Sequence, residues 1–404
     1  MTEKIIQQQQ KLQKTHYIPR DRIFEKDILK LHKIISIVWP RRSGKTTYMI
    51  QIINELIQAD ILSRSQVVYI DFNDHIGGDF DFEQLLQHYK TILHDQHPIF
   101  FFDEIQEVDN MRSGIFFLYN LWYQVFITGS NSKILSSELS THFRGKWYEI
   151  PLWNLSFKEY CIFLWLSMQS LSYDDQWTLL YHFRQYIARW WYPEIVLAHD
   201  NETLKTNIIK TYMDIMIYKD LMERYKINNE LILKYTIQKI IKSNTKQINI
   251  NKLYNECKSL WIKWDKNMFY HIVDHLQSVF FISLLTQQYK PQWFKKSYLI
   301  DTVYQTIYDS TSDNFGQKFE STIYQHLLKW NQKIYYQKNT EWEIDFMLDS
   351  GCKIQVCRER NDENNQRETG QLSAWDFFIY AIDKRSKKTK WVFKSYRYDE
   401  YLLQ

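Results

Sequence analysis

At 404 residues the chain exceeds one ordinary domain, so two or three are expected. With 45% hydrophobic and 24% charged residues it has a globular composition rather than a disordered, collagen-like or membrane-embedded one. A formal net charge of +4 neither requires nor excludes a nucleic-acid partner. Cys161, Cys257, Cys352 and Cys357 form no CxxC pair, which argues against a zinc ribbon or a disulfide framework and for a reducing, cytoplasmic compartment. The glutamine-rich N-terminus lacks a signal-peptide pattern, and no apolar run is long enough to span a bilayer.

Residues 1–30 read as a helical lead-in ending in a mixed-charge segment. Ile34 to Val38 is an apolar run suited to a buried strand. It breaks into Trp39-Pro40-Arg41-Arg42-Ser43-Gly44-Lys45-Thr46-Thr47, after which Met49, Ile52, Ile53, Leu56 and Ile57 mark one face of a helix. Strand, loop and helix are the context of the phosphate-binding motif GxxxxGK[ST]. Residues Trp39 to Thr47 would cradle the phosphates of ATP with backbone N–H groups, Lys45 would reach the β/γ-phosphates, and Thr46 would ligate Mg²⁺. One position departs from the motif, since Trp39 stands at its first glycine.

Val67 to Asp71 is a second short strand, and Phe82 to Leu93 an amphipathic stretch. Ile99-Phe100-Phe101-Phe102-Asp103-Glu104 is a continuously apolar strand ending in two acids, the pattern of a strand buried on both faces with its ligands at the C-terminal end. Asp103 would hold Mg²⁺, and Glu104 would orient the attacking water. An acidic turn after a buried strand looks the same in isolation; the upstream phosphate loop favours the functional reading. Val125 to Asn131 is a further buried strand ending in a polar cluster, where Asn131 or Ser130 could sense the γ-phosphate. The alternative is a Gly-Ser-Asn turn that only reverses the chain. Alternating strands and helices predict an α/β fold with a parallel sheet and right-handed crossovers.

In register, PRRSGKTT, FFFDEIQEV, ITGSNSKILSSELSTHFRGK and LSFKEY resemble prokaryotic AAA-type ATPases that carry a C-terminal nuclease-like domain. The resemblance implies a P-loop AAA-type core over residues 1–150 and a helical lid or linker over 151–225. A winged-helix module over 226–292 and an α/β, restriction-nuclease-like domain over 293–404 would follow. It also makes Arg144 the candidate arginine acting on the nucleotide, in cis or across the interface of a homo-oligomer.

Within the lid region, Asp214 and Asp220 fit a plain amphipathic helix. In the winged-helix region Phe269, Ile272, Val273 and Leu276 form one helical face, and Val279 to Leu285 reads as a strand. Lys258, Lys263 and Lys266 lie near the would-be recognition helix; lysines on a solvated face explain them as well as DNA contact. The last region orders a helical Glu320, a strand-borne Asp345 and a second strand, like the PD-(D/E)xK nuclease core. That core needs an acid and a lysine where this chain has Gln355 and Cys357, which removes a metal ligand and a cation and favours a structural or protein-binding role. The basic run Lys384, Arg385, Lys387, Lys388 and Lys390 fits a solvated turn.

Glycine is scarce and tryptophan abundant: 9 against 15, where glycine alone usually makes up about 7% of a chain. Trp39, Trp190-Trp191, Trp261, Trp264, Trp330 and Trp342 fall at motif or turn positions that suit glycine. UGA codons decoded as glycine in the cell, but translated on paper as tryptophan, would produce this pattern. The expected protein is thus an Mg²⁺-dependent ATPase coupling hydrolysis to a protein or DNA partner. The alternatives are a nucleotide-gated interaction protein with little turnover and a DNA nuclease.

Overall fold

The computed structural model describes residue 12 and residues 15–73, 78–93, 97–129, 145–166, 173–188, 191–198, 201–259, 265–289, 295–309, 314–329, 333–339, 343–357 and 371–373. The chain divides into two compact units, Met1–Trp153 and Asn154–Gln404.

The first unit is a five-stranded parallel sheet. Its strands are β1 (Ile34–Val38), β2 (Val67–Asp71), β3 (Ile99–Asp103), β4 (Gln124–Gly129) and β5 (Trp147–Pro151), in the spatial order β2-β3-β4-β1-β5. Every neighbouring pair runs parallel. All five residues of β1 and the last four of β3 are buried, as continuous apolar runs in a sheet covered on both faces should be. Helices α1 (Lys45–Gln58), α2 (Phe82–Leu93) and α3 (Met111–Asn120) are the crossovers. The expected face of α1 is inward: Met49, Ile52, Ile53 and Leu56 are fully buried. Because β4 separates β1 from β3, the loops after β1 and β3 emerge on either side of the end of β4. This is where an open parallel sheet places its ligands.

The second unit begins with a capping box in which Ser156 accepts from the Glu159 N–H while the Glu159 carboxylate accepts from the Ser156 N–H. It opens α4 (Phe157–Phe163), followed by α5 (Tyr173–Ala188), α6 (Pro193–Leu197) and α7 (Glu202–Ile215). The stretch read as one amphipathic helix changes character at Met216, continuing as a π-helical segment over Met216–Glu223. Asp220 is buried there, 3.6 Å from Arg224. Next come α8 (Glu230–Lys242), α9 (Ile250–Ser259), α10 (Lys266–Ser278) and an antiparallel hairpin of β6 (Ile282–Thr286) and β7 (Lys295–Leu299). A bridge from Gln247 to Lys296 joins the α8–α9 connection to this hairpin. The strand expected from Val279 starts three residues later. Val279 caps α10, Phe280 turns the backbone left-handed at φ +56°, and the first apolar residues form the turn.

The last described part contains α11 (Val303–Tyr308), α12 (Phe315–Leu328) and a four-stranded sheet. Its strands are β8 (Ile334–Lys338), β9 (Glu343–Leu348), β10 (Lys353–Cys357) and β11 (Gln371–Ser373), in the order β11-β10-β9-β8. The turn expected at Asp349-Ser350-Gly351 joins β9 to β10, with Gly351 at φ +84°. The basic run from Lys384 lies outside the described residues, as do Lys263, Trp190, Trp261, Trp264, Trp330 and Trp342. Among the described residues no helix is long and apolar enough to cross a membrane.

Candidate nucleotide site

The loop after β1 turns twice through left-handed backbone, at Arg42 (φ +66°) and at Gly44 (φ +90°), the residue that caps α1. Trp39, at the motif's first glycine, is not among the left-handed residues; its ring is buried edge-on against Trp153, centroids 4.5 Å apart. Pro40 and Ser43 are buried, Arg42 is exposed, and Arg41, Thr46 and Thr47 are half-buried. The Ser43 hydroxyl is buried with no hydrogen-bond partner among the described residues.

Lys45 is 4% exposed, and its ammonium donates to the Trp39 and Pro40 carbonyls at 2.9 Å each. The loop is braced from outside the motif. Arg20, itself buried, donates to the Ser43 carbonyl at 3.1 Å and to the Trp153 carbonyl at 2.6 Å. Gln51 of α1 fixes that brace by accepting from the Arg20 N–H at 2.8 Å and donating to its carbonyl at 3.1 Å. Sequence reading left Arg20 in a mixed-charge lead-in, because no local pattern marks a bond spanning 23 residues.

Across the end of β4, Asp103 is wholly buried. Its carboxylate accepts from the Thr128 hydroxyl, from the Tyr69 hydroxyl at 3.2 Å and from the Thr46 hydroxyl. Burial, reinforced by the charge of Glu104, raises its pKa to about 6 against the pull of the Thr128 and Thr46 hydrogen bonds. Glu104 turns left-handed at φ +51°, and its N–H donates to the Thr128 Oγ1 at 2.9 Å. One Glu104 oxygen lies 3.8 Å from the Lys45 ammonium, and the other 4.0 Å from the Arg41 guanidinium and within hydrogen-bond reach of the Gln106 amide. Arg41 also lies 3.5 Å from Glu107.

The fold therefore brings Lys45, Thr46, Asp103 and Glu104 into one cluster, with Arg41 on its edge. Thr128 and Tyr69, which sequence reading did not single out, tie it to the neighbouring strands. Strand register places them: Phe102 pairs with Ile127 and Asp71 with Asp103. An alternation-based reading of β2 and β4 shows only buried residues there. Ser130, Asn131 and Arg144 lie outside the described residues. A threonine hydroxyl beside a buried carboxylate is a donor set that suits Mg²⁺, which takes one or two carboxylates and completes its shell with water and phosphate. The Ser43 hydroxyl, unpartnered among the described residues, and the Lys45 ammonium at the head of α1 suit a phosphate chain.

Residues 31–161 match the family model of an AAA domain. An uncharacterized protein of Methanocaldococcus jannaschii is 31% identical over 361 residues, which cover 86% of this chain and 80% of that relative. An uncharacterized protein of Haemophilus influenzae is 27% identical over 358 residues, covering 84% of this chain and 85% of its own. Among solved structures, the AMPPCP-bound DnaA of Aquifex aeolicus aligns with 66% of this chain and 90% of its own, at a TM-score of 0.28 and 14% identity.

Proposed function

The chain belongs to the family of the Methanocaldococcus jannaschii relative and carries an AAA domain over residues 31–161, and from this nucleotide-binding domain we propose an Mg²⁺-dependent ATPase that couples hydrolysis to a partner. The observation that carries the reading is the convergence of Lys45, Thr46, Asp103 and Glu104 at the ends of β1 and β3.

Lys45 exchanges the two loop carbonyls for phosphate oxygens, while the loop N–H groups and the N-terminus of α1 bind the remaining charge. Thr46 and Asp103 would hold Mg²⁺, which offsets charge on the phosphate oxygens. Glu104 accepts a hydrogen bond from the attacking water and orients it. Asn131 at the γ-phosphate and Arg144, from the same subunit or a neighbour, complete the proposed set. Glu104 faces Lys45 and Arg41; phosphate drawing both cations away would free its carboxylate for water.

The Arg41–Glu104 pair also favours a second reading, a nucleotide-gated interaction protein in which Glu104 stays tied to Arg41 and turnover is slow. Glu104→Gln separates the two, because it keeps the shape and removes the base. Under the ATPase reading it retains nucleotide binding and loses hydrolysis by about 10²-fold or more; equal rates in both proteins would sink that reading.

For coupling, α8, α9, α10 and the β6–β7 hairpin follow the element order of a winged helix. The exposed positions of α10 are Asn267, Tyr270, His271 and Asp274, with Lys266 half-buried at its start. An exposed face with a tyrosine, a carboxylate and no lysine or arginine suits a protein partner better than a phosphate backbone.

A further inference from the structure

Helices α3 and α4 end in the same way, and in both a tryptophan occupies the position that needs a left-handed residue. After α3, Trp122 adopts φ +66°; its N–H donates to the Tyr119 carbonyl at 2.9 Å and the next N–H, Tyr123, to Leu118 at 3.1 Å. After α4, Trp165 adopts φ +58°; its N–H donates to Ile162 at 3.1 Å and that of Leu166 to Cys161 at 2.9 Å. This paired closure is the Schellman motif, whose left-handed position is usually glycine because any Cβ there crowds the following carbonyl. Bulky side chains suffer most.

Burial could offset that strain, but Trp122 is 76% exposed and Trp165 83% exposed. The Trp122 ring does lie on His32, centroids 4.5 Å apart. The same bond pair closes α1 at Asp60 and α10 at Phe280, so a non-glycine residue can hold the position. Asp60 has a short polar side chain that tolerates it, and Phe280 is half-buried. Two largely solvent-exposed indoles at such sites, in a chain with 9 glycines and 15 tryptophans, call for a cause outside packing.

We propose that the protein made in its own cell carries glycine at positions 122 and 165, each encoded by a UGA codon read as glycine. The same reading at position 39 puts glycine at the head of the phosphate loop, restoring the motif's first residue and removing an indole from the turn beside the phosphates. This last step rests on the nucleotide-binding reading above; the helix-end assignment does not. The helix-end geometry is selective: Trp191 is 1% exposed, stacks on Tyr186 and donates to that residue's carbonyl at 2.6 Å, so its surroundings make no case for glycine. Trp39, 4% exposed against Trp153 and not left-handed, is assigned on the phosphate-loop motif alone.

Peptide mass spectrometry of the protein isolated from the organism that encodes it reads positions 39, 122 and 165 directly. Glycine at 122 and 165 is expected, and tryptophan at both overturns the proposal. Glycine at those two with tryptophan at 39 overturns its extension to the loop. In recombinant chains, Trp122→Gly with Trp165→Gly is expected to raise Tm by about 2–4 °C; an unchanged or lower Tm contradicts the strain at the helix ends. Trp39→Gly is expected to tighten binding of a fluorescent ATP analogue by about tenfold. Absence of binding to both the chain with Trp39 and Trp39→Gly would refute the nucleotide site while leaving the peptide masses to decide the glycines.

Discussion

At the scale of single residues, Asp103, the proposed Mg²⁺ ligand, is expected to set the pH range of Mg²⁺-dependent nucleotide binding. Burial and the charge of Glu104 raise its carboxyl from 3.8 to about 6. A carboxyl with a raised folded-state pKa favours the protonated form, so its contribution to stability is greatest below the ordinary value and is lost as pH climbs toward about 6. Cation binding has the opposite sign, because a metal ligand must be ionised. Mg²⁺-dependent nucleotide affinity is therefore expected to fall as pH drops through about 6, measured by titrating a fluorescent ATP analogue with and without Mg²⁺. Asp103→Asn should abolish the Mg²⁺ dependence. Thr128→Val removes a hydrogen bond that holds the pKa down and should move the fall to higher pH; a profile unmoved by that change would discount the Thr128 contact. Lys45, Thr46, Asp103 and Glu104 were legible because a motif spaces them or a strand ends on them. Thr128, Tyr69 and Arg20 were not, because their roles depend on strand register and on a side chain crossing between distant segments.

At the scale of elements, hydrophobic periodicity was enough to locate β1, β3, β4 and α1. It failed where the backbone departs from a regular period. The π-helical segment after α7 is as amphipathic as the helix before it, the turn at Phe280 is as apolar as the strand after it, and composition cannot tell either from its neighbour. The packing of α3 on α2 was also unreadable, since it hinges on one absent side chain. A Cβ on Gly114 would sit 2.0 Å from the Phe82 ring, inside any real contact distance. Gly114→Ala, although it favours helix formation, is expected to destabilise the chain by about 1–3 kcal/mol through overpacking. The measurement is a lowered urea midpoint with an unchanged slope. Phe82→Leu should recover part of the loss in the double variant, because the two sites are in contact; strictly additive effects would place the strain elsewhere.

At the scale of the whole molecule, each unit has its own cluster of buried charge, and the clusters differ in what they leave open. In the first unit Glu104 and Glu107 face Lys45 and Arg41, cations that the proposed nucleotide would draw to its phosphates. In the second, Lys296 of β7 reaches into three carboxylates: it pairs with Glu343 and lies 3.4 Å from both Glu320 and Asp345. The sequence showed the helical glutamate and the strand aspartate in nuclease order but gave no sign that a lysine from a distant hairpin would join them. The second strand fills the remaining space around Asp345, whose N–H donates to the Gln355 side chain at 3.2 Å and whose carboxylate accepts from the Val356 N–H at 3.0 Å. Desolvation works against the Lys296 charge, yet the three carboxylates hold its pKa above the ordinary value, so it stays an ammonium. The Glu320 pKa is raised as well, to about 8, by burial and by the charge of Asp345, which favours its neutral form. The position a catalytic cation would need is thus taken by a side chain, and among the described residues no group of three or more metal-ligating side chains is arranged for an ion. The full chain, incubated with plasmid DNA and Mg²⁺ or Mn²⁺, is expected to leave the DNA intact; cleavage that disappears with Asp345→Ala would overturn this. Lys296→Met should cost about 3–5 kcal/mol of stability near neutral pH, because it strands buried carboxylates without their cation. That loss should shrink on acidification as the same groups take up protons, a pH dependence that the removal of an idle surface lysine would not produce.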